Sequence, residues 1–302
     1  MIFFNYFIFP GFLFTAVIGM LASWVDRKVT ARVQWRQGPP WYQSFADFIK
    51  LLGKEVIVPR QNRRLFLVAP LLALASVTVV ATLLGRSMLR PQESFLGDLI
   101  VVIYLLTIPA TALILGASAS ANPLASVGAS REIKLVLSYE LPFLLSMAIV
   151  ILKSGGLIRI NDIIRYQMVN GSILSSASGA VAFVAAILCM QAKLGFVPFD
   201  MSEAEQEIMA GALIEYSGAP LAIFKLTKQM LLVVLPIFLI SLFWANNLSV
   251  MWVILKYVIL LVIIILIKNT NPRVKIDQAT RFFWGPMTVI CIIGVILALI
   301  GY

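Results

Sequence analysis

Apolar runs of about 20 residues recur along most of this chain of 302 residues, and a run of that length crosses the ~30 Å hydrocarbon core of a bilayer as a helix. The runs fall near residues 2–24, 65–85, 96–118, 133–152, 174–197, 209–243, 250–268 and 282–301. They predict an all-α integral membrane protein with about eight transmembrane helices, a single transmembrane domain over residues 1–302. The sixth run is unusually long. As one helix its 35 residues extend roughly 52 Å at 1.5 Å per residue, so it is expected to tilt steeply or to bend near Gly218-Ala219-Pro220.

Composition narrows the chemistry. Apolar residues make up 61% and charged residues 13%, against about 45–50% and 25% in soluble domains. Histidine is absent, and the two cysteines, Cys189 and Cys291, lie inside apolar runs. Neither a zinc, iron–sulfur or haem ligand set nor a glycine-rich nucleotide loop is visible. The chain is therefore expected to bind no metal or cofactor itself.

The net charge of +10 reports orientation. Loops after spans one, three, five and seven hold sixteen Lys/Arg, against five (Arg86, Arg90, Lys153, Arg159 and Arg165) on the opposite side. Cytoplasmic loops carry the excess, so both termini are expected outside. Trp24, Trp244, Trp252 and Trp284 fall near span ends, where aromatic belts lie. These cations border hydrophobic spans, which marks a topology signal rather than nucleic-acid binding. The uncharged start lacks a signal-peptide n-region, so span one is expected to be retained. No internal repeat suggests an inverted-repeat transporter.

Residues 26–64 form the longest polar stretch. Arg27, Arg32, Gln34 and Arg36 precede a Gly38-Pro39-Pro40 break. In the following segment Phe45, Phe48, Ile49, Leu52 and Val56 share one helical face, with Asp47, Lys50 and Lys54 opposite. Ser44 and Asp47 could form a capping box. This predicts an amphipathic helix in the cytoplasmic membrane surface. The loop is either a solvated anchor or a docking floor for a cytoplasmic partner. Gln34, which adds nothing to topology, supports the second, and Arg32, Gln34 and Arg36 are expected to alternate along an extended run.

Carboxylates cluster where positive-inside logic places none. The loop 193–208 carries Asp200, Glu203, Glu205 and Glu207, with Glu215 further on. Helix capping by Asp200 and Glu203, or by Ser202 and Glu205, accounts for part of the cluster. It leaves Glu215, expected two turns inside span six, unexplained. Glu140 intrudes on span four beside Pro142, and Glu132 lies nearby. Intramembrane acids are costly and face a partner or a water-filled cavity. These residues predict a proton or cation path entered from the cytoplasm, with static ion pairing as the competing role. Lys225, Lys228 and Lys256 extend it or act as counter-ions.

Several long motifs occur in order: Arg32-Val-Gln-Trp-Arg-Gln-Gly-Pro39, Phe45-Ala-Asp-Phe-Ile-Lys50, Ser138-Tyr-Glu-Leu-Pro142, Pro198-Phe-Asp-Met-Ser-Glu-Ala-Glu205, Ile214-Glu-Tyr-Ser-Gly218 and Asn271-Pro-Arg-Val-Lys-Ile-Asp277. The chain resembles the H-type membrane subunit (subunit 1) of respiratory complex I. It also resembles its counterpart in energy-converting membrane-bound [NiFe] hydrogenases and sulfane-sulfur reductases. The resemblance implies eight transmembrane helices and a non-catalytic role in the cytoplasmic membrane. It implies hydrogenase-like large and small partner subunits with a NiFe centre and Fe–S clusters, and antiporter-like and small membrane partners. It assigns Glu140 and Glu215 to the ion path, Glu203, Glu205 and Glu207 to its entry, and Arg32, Gln34 and Arg36 to the loop facing the catalytic subunit. Asp47 and Lys50 fall on the matching interfacial helix.

Two positions depart from the quinone-reducing members. Lys193 stands where they carry glutamate and Phe196 where they carry arginine. Together with the added acid Glu132, these favour the hydrogenase-like branch over a quinone site. A milder departure is Asp26 in place of the usual glutamate. A quinone-site-forming subunit and a free-standing ion transporter are the competing functions. Carboxylates carry H⁺ and Na⁺ alike, so the ion is one of these two.

Overall fold

The computed structural model of the protein describes residues 2–60, 62–89 and 95–301. Arg90 and the side chain of Glu205 lie outside the described residues. The helices are α1 Ile2–Phe7, α2 Phe12–Val33, α3 Gln43–Leu52, α4 Arg63–Leu89, α5 Asp98–Leu105, α6 Ile108–Ala119, α7 Pro123–Lys153, α8 Ile160–Asn170, α9 Ala177–Lys193, α10 Glu205–Ile208, α11 Gly218–Phe243, α12 Val250–Thr270, α13 Ile276–Phe282 and α14 Thr288–Ile300. A π-helical turn, Phe283–Met287, joins α13 to α14.

Seven stretches of described residues are long and apolar enough to cross a membrane, and the shorter α9 makes an eighth apolar helix. This agrees with the all-α, eight-crossing expectation. The crossings divide the loops between two ends of the bundle. One, the basic end, carries α3, the segment 194–217 and the 271–275 turn. The far end carries α8 and the 244–249 turn.

Helix α11 is the centre of the bundle. Its most apolar window is 83% buried, against 28% for α12 and 22% for the last span. It packs against α2, α3, α4, α9 and α12. Lipid tails are as apolar as leucine, so helices join in membranes through close packing at small residues. Gly19 of α2 shows this: a Cβ there would lie 2.6 Å from the Gln229 carbonyl oxygen of α11.

Prolines inside these helices leave carbonyls without an N–H donor, and two tyrosines supply the missing bond. Pro70 frees the carbonyl of Phe66, which accepts the Tyr216 hydroxyl at 3.1 Å. Pro236 frees that of Leu232, which accepts the Tyr257 hydroxyl at 3.4 Å. At the far end the last carbonyls of α11 would also be orphaned. Gln167 of α8 donates to Ser241 and Leu242 carbonyls at 3.1 and 3.0 Å and accepts from the Ala245 N–H at 2.9 Å.

Several local expectations are corrected. The sixth span is not a 35-residue tilted helix: α11 starts at Gly218, and residues 209–217 form an irregular segment with a short 3₁₀ turn at Gly211–Leu213. Apolar composition alone suggested a helix there, but Met209 and Ala210 adopt positive φ (50° and 73°) and interrupt it. Neither acidic pair caps α11, because its N-cap is Ser217, well beyond them in the chain. The Ser44–Asp47 capping box does not form either; Asp47 is taken up by Arg27 and Gln43. Finally, Arg32 lies in the last turn of helix α2 rather than opening an extended run, and Trp35 turns the chain with φ 56°.

Candidate functional site

The basic end is built around the segment 194–217, which folds inward instead of lying over the surface. Phe199, Met201, Ala204, Ile208, Ala212 and Tyr216 are buried. Glycines on neighbouring helices admit it. A Cβ on Gly128 of α7 would lie 2.5 Å from the Ala212 nitrogen, and one on Gly116 of α6 would lie 2.0 Å from the Tyr216 hydroxyl.

Each residue of the stretch Glu215–Gly218 then makes a different joint. Glu215 accepts a short hydrogen bond from the Asn122 side-chain amide, while the oxygen of that amide caps α7 at the Leu124 N–H, 2.8 Å away. Tyr216 stacks on Phe66 with ring centres 4.0 Å apart, and burial raises its hydroxyl pKa. Ser217 accepts from the Ile57 N–H at 3.0 Å and donates to the Glu55 carbonyl at 3.3 Å. Gly218 has φ 57°, and a Cβ there would lie 2.7 Å from the Lys54 carbonyl oxygen. The polar loop after α2 and the acidic segment are thus tied together.

Most of the carboxylates singled out from the sequence have cationic partners. Lys193 Nζ lies 2.9 Å from Glu140, its side chain only 3% exposed, with the rings of Tyr139 and Phe143 4.9 and 4.6 Å away. Lys228 pairs with Glu203 at 2.9 Å. Arg131 pairs with Glu207 at 2.6 Å near the surface. Arg273 pairs with Asp200 at 2.7 Å, and the Val274 N–H donates to the Pro198 carbonyl at 3.2 Å, which gives the 271–277 motif its place. Asp26, buried in α2, meets Lys268 at 2.7 Å. Phe196 stands between two cations, with Lys268 4.8 Å and Lys228 5.5 Å from its ring centre. The aromatic face suits that position, where an arginine would add a third like charge.

Among the described residues, a smaller and a larger cavity flank α11 at this end. The smaller, about 240 Å³, is lined by Glu132, Lys193, Ser202, Glu203, Lys225 and Lys228 among others. Glu132 is buried with no ionic partner among the described residues. The larger, about 620 Å³, lies between α2, α3 and α11 and is lined in part by Asp26, Arg27, Asp47, Lys50, Lys225 and Lys228. Arg27 bridges Asp47 at 3.0 Å across its mouth. Burial alone would raise the Asp47 carboxyl, but hydrogen bonds from Arg27 and Gln43, with the charges of Arg27 and Lys50, hold it below its usual value.

The structure therefore brings together Glu132, Glu203, Lys225 and Lys228 at the smaller cavity, with Glu140 joined to it through Lys193; Asp200, Glu207 and Glu215 have separate partners in Arg273, Arg131 and Asn122. Glu215 lies in the inward-folded segment, not inside a helix. Lys256 stands apart: at the far end its ammonium donates to the Trp244 carbonyl, the Asn246 side chain and the Asn247 carbonyl at 2.7, 2.9 and 2.9 Å. Arg32, Gln34 and Arg36 sit on the surface of the basic end beside Trp35, 98% exposed. Sequence reasoning did not single out Trp35, Asn122 or Lys268. Only Asn122 had a local signal, an Asn-Pro pair at a helix start.

Residues 6–299 match the NADH dehydrogenase family. The chain belongs to this family, that of the H-type subunit, or subunit 1, of complex I. Curated relatives include the H-type subunit of NADH-quinone oxidoreductase from Dehalococcoides mccartyi, 32% identical over 290 residues and covering 91% of this chain and 79% of the relative. The corresponding subunit from Brevibacillus brevis is 30% identical over 305 residues, covering 94% and 89%. Among solved structures, a chain of the membrane-bound sulfane sulfur reductase, an archaeal respiratory membrane complex, superposes with a TM-score of 0.87 at 26% identity. That match covers 98% of this chain and 99% of the other. The family match and this superposition agree with the resemblance carried by the motifs.

Proposed function

We propose that this chain is the membrane anchor and ion-coupling subunit of a complex I-like, redox-driven proton or sodium pump. Its complex is an energy-converting membrane-bound [NiFe] hydrogenase or related sulfur reductase. The single transmembrane domain spans the cytoplasmic membrane with both termini outside. A docking loop at 26–64 and an acidic loop at 193–208 then face the cytoplasm. Peripheral hydrogenase-like subunits that carry the NiFe centre and Fe–S clusters rest on the basic end. Antiporter-like subunits lie alongside in the membrane.

The observation that carries this reading is the inward-folded acidic segment. It sets Glu203 beside the 240 Å³ cavity that also holds Glu132 and Lys193, and Lys193 in turn holds Glu140. Ionisable groups thus run from the basic end into the bundle, the arrangement expected of an ion path. Exposed Trp35 between Arg32 and Arg36 fits a docking floor, since Trp and Arg anchor protein interfaces. The names of the relatives and the sulfane sulfur reductase superposition support assembly into a respiratory complex.

The family's other branch reduces quinone. Here the ring of Phe196 and the Lys193–Glu140 pair occupy the two departing positions, which favours the hydrogenase-like branch.

The test is Glu140→Gln and Glu215→Gln in the whole complex, reconstituted into liposomes. Electron transfer from an artificial donor is expected to continue while ion uptake per electron collapses. Undiminished uptake in both variants overturns the proposal.

A further inference from the structure

The larger cavity is strongly cationic, and it shares Lys225 and Lys228 with the smaller one. It carries five cations, Arg27, Lys50, Lys54, Lys225 and Lys228, and two acids, Asp26 and Asp47. Arg27 is paired with Asp47, Lys228 with Glu203 and Asp26 with Lys268. Lys50, Lys54 and Lys225 have no ion-pair partner among the described residues, although the charge of Lys50 is felt at Asp47.

Ser44 lines the same cavity. It is 1% exposed, and its hydroxyl is buried without a hydrogen-bond partner among the described residues. Buried polar groups are normally bonded, so this hydroxyl is an unspent polar group in the cavity wall.

The apolar part of the wall is Ala222, Leu226 and Leu232 of α11, which span about 15 Å at 1.5 Å per residue, with Phe48 and Leu51 of α3 and Phe196; Gln229 and Ser23 add neutral polar groups beside it. Beside the mouth α3 exposes Ile49 and Leu52, so the opening borders the bilayer surface. A volume of about 620 Å³ falls within the range of roughly 300–1,000 Å³ typical of ligand pockets.

We propose that this cavity binds an anionic phospholipid. Lys50, Lys54 and Lys225 hold its phosphate, and an acyl chain lies against Ala222, Leu226 and Leu232 of α11. Basic pockets between transmembrane helices recognise anionic headgroups in this way; the three lysines are exposed at the opening, where a headgroup would reach them. A neutral quinone would leave three ammonium groups uncompensated, and a free phosphate would leave the apolar wall empty. Although Lys225 also lines the smaller cavity, the proposal does not rest on the ion-path reading, because its test reads lipid retention and not ion uptake.

The test is native mass spectrometry of the intact complex after delipidation, titrated with phosphatidylglycerol, phosphatidylcholine, a short-chain quinone or inorganic phosphate. The complex is expected to retain phosphatidylglycerol over phosphatidylcholine by roughly tenfold or more. The Lys50→Gln/Lys54→Gln/Lys225→Gln variant is expected to lose that preference. Two controls guard against misfolding and diffuse surface charge. Lys→Arg at the same three positions is expected to keep the preference, as is Arg60→Gln/Arg63→Gln/Arg64→Gln outside the cavity. Equal retention of the two lipids, displacement by quinone or by phosphate at concentrations matching phosphatidylglycerol, or equal loss in the Arg60/Arg63/Arg64 variant overturns the proposal.

Discussion

Tyr216→Phe removes one oxygen and one hydrogen bond, and the helix it serves makes the outcome calculable. Pro70 has no N–H, so the Phe66 carbonyl four residues earlier lacks its helical donor. The Tyr216 hydroxyl, 3.1 Å away, replaces it. The phenylalanine ring would keep the stack on Phe66, now 4.0 Å between centres, and leave that buried carbonyl unpaired. An unsatisfied buried acceptor costs about 1–3 kcal/mol, and side-chain hydrogen bonds in membrane proteins average nearer ~0.6, with a maximum of about 1.7. The expected loss is therefore about 1–2 kcal/mol.

Pro70→Ala supplies the decisive background, because the alanine brings its own N–H to the same carbonyl. There Tyr216→Phe is expected to cost under about 0.5 kcal/mol, a coupling of roughly 1 kcal/mol between residues that share one acceptor. Unfolding of the purified protein in mixed detergent–SDS micelles, followed by tryptophan fluorescence, measures all four corners of the cycle. Equal costs of Tyr216→Phe in both backgrounds would refute the reasoning. The same cycle at Tyr257 and Pro236, where the bond is longer at 3.4 Å, is expected to give a smaller coupling.

Lys193→Met leaves the Glu140 carboxylate beside apolar rings without its cation. Removing one member of a buried pair costs about 3–5 kcal/mol, and with the Glu140 side chain 23% exposed the lower end applies. Adding Glu140→Gln is expected to restore most of the thermal unfolding midpoint of the complex, and a double variant no more stable than the single one would contradict the pairing. Asp47 governs a pH response at α3. Its carboxyl is held below the ordinary value of 3.8, so its contribution is present in full above the unfolded value and is lost as pH falls through the lower folded value. A fluorophore on α3 in nanodiscs is therefore expected to report loosening only below about pH 4, and Asp47→Asn to remove that step. Loosening already at about pH 5–6 in the unsubstituted protein would locate the transition in another group.

The crossings were legible because lipid imposes them. Any run long enough to span and apolar enough to stay must become a helix, whatever its neighbours do. The interfacial α3 was legible for a related reason, since its apolar face repeats at helical spacing. Residues 209–217 misled because apolar composition says nothing about a segment folded back among other helices. Its backbone bonds go to partners such as the Ser202 carbonyl, which accepts from the Ala212 N–H at 3.1 Å.

By itself the sequence determined the helical class, the span count, the amphipathic α3 and which few acids and bases stand out against an apolar background. Tertiary structure alone decided what those groups do to one another. Glu140 meets Lys193 across 53 positions, Glu215 meets Asn122 across 93, and Asp26 meets Lys268 across 242. Pairing in a low-dielectric interior depends on distances of a few ångströms, and those are set by how helices pack, not by their order along the chain.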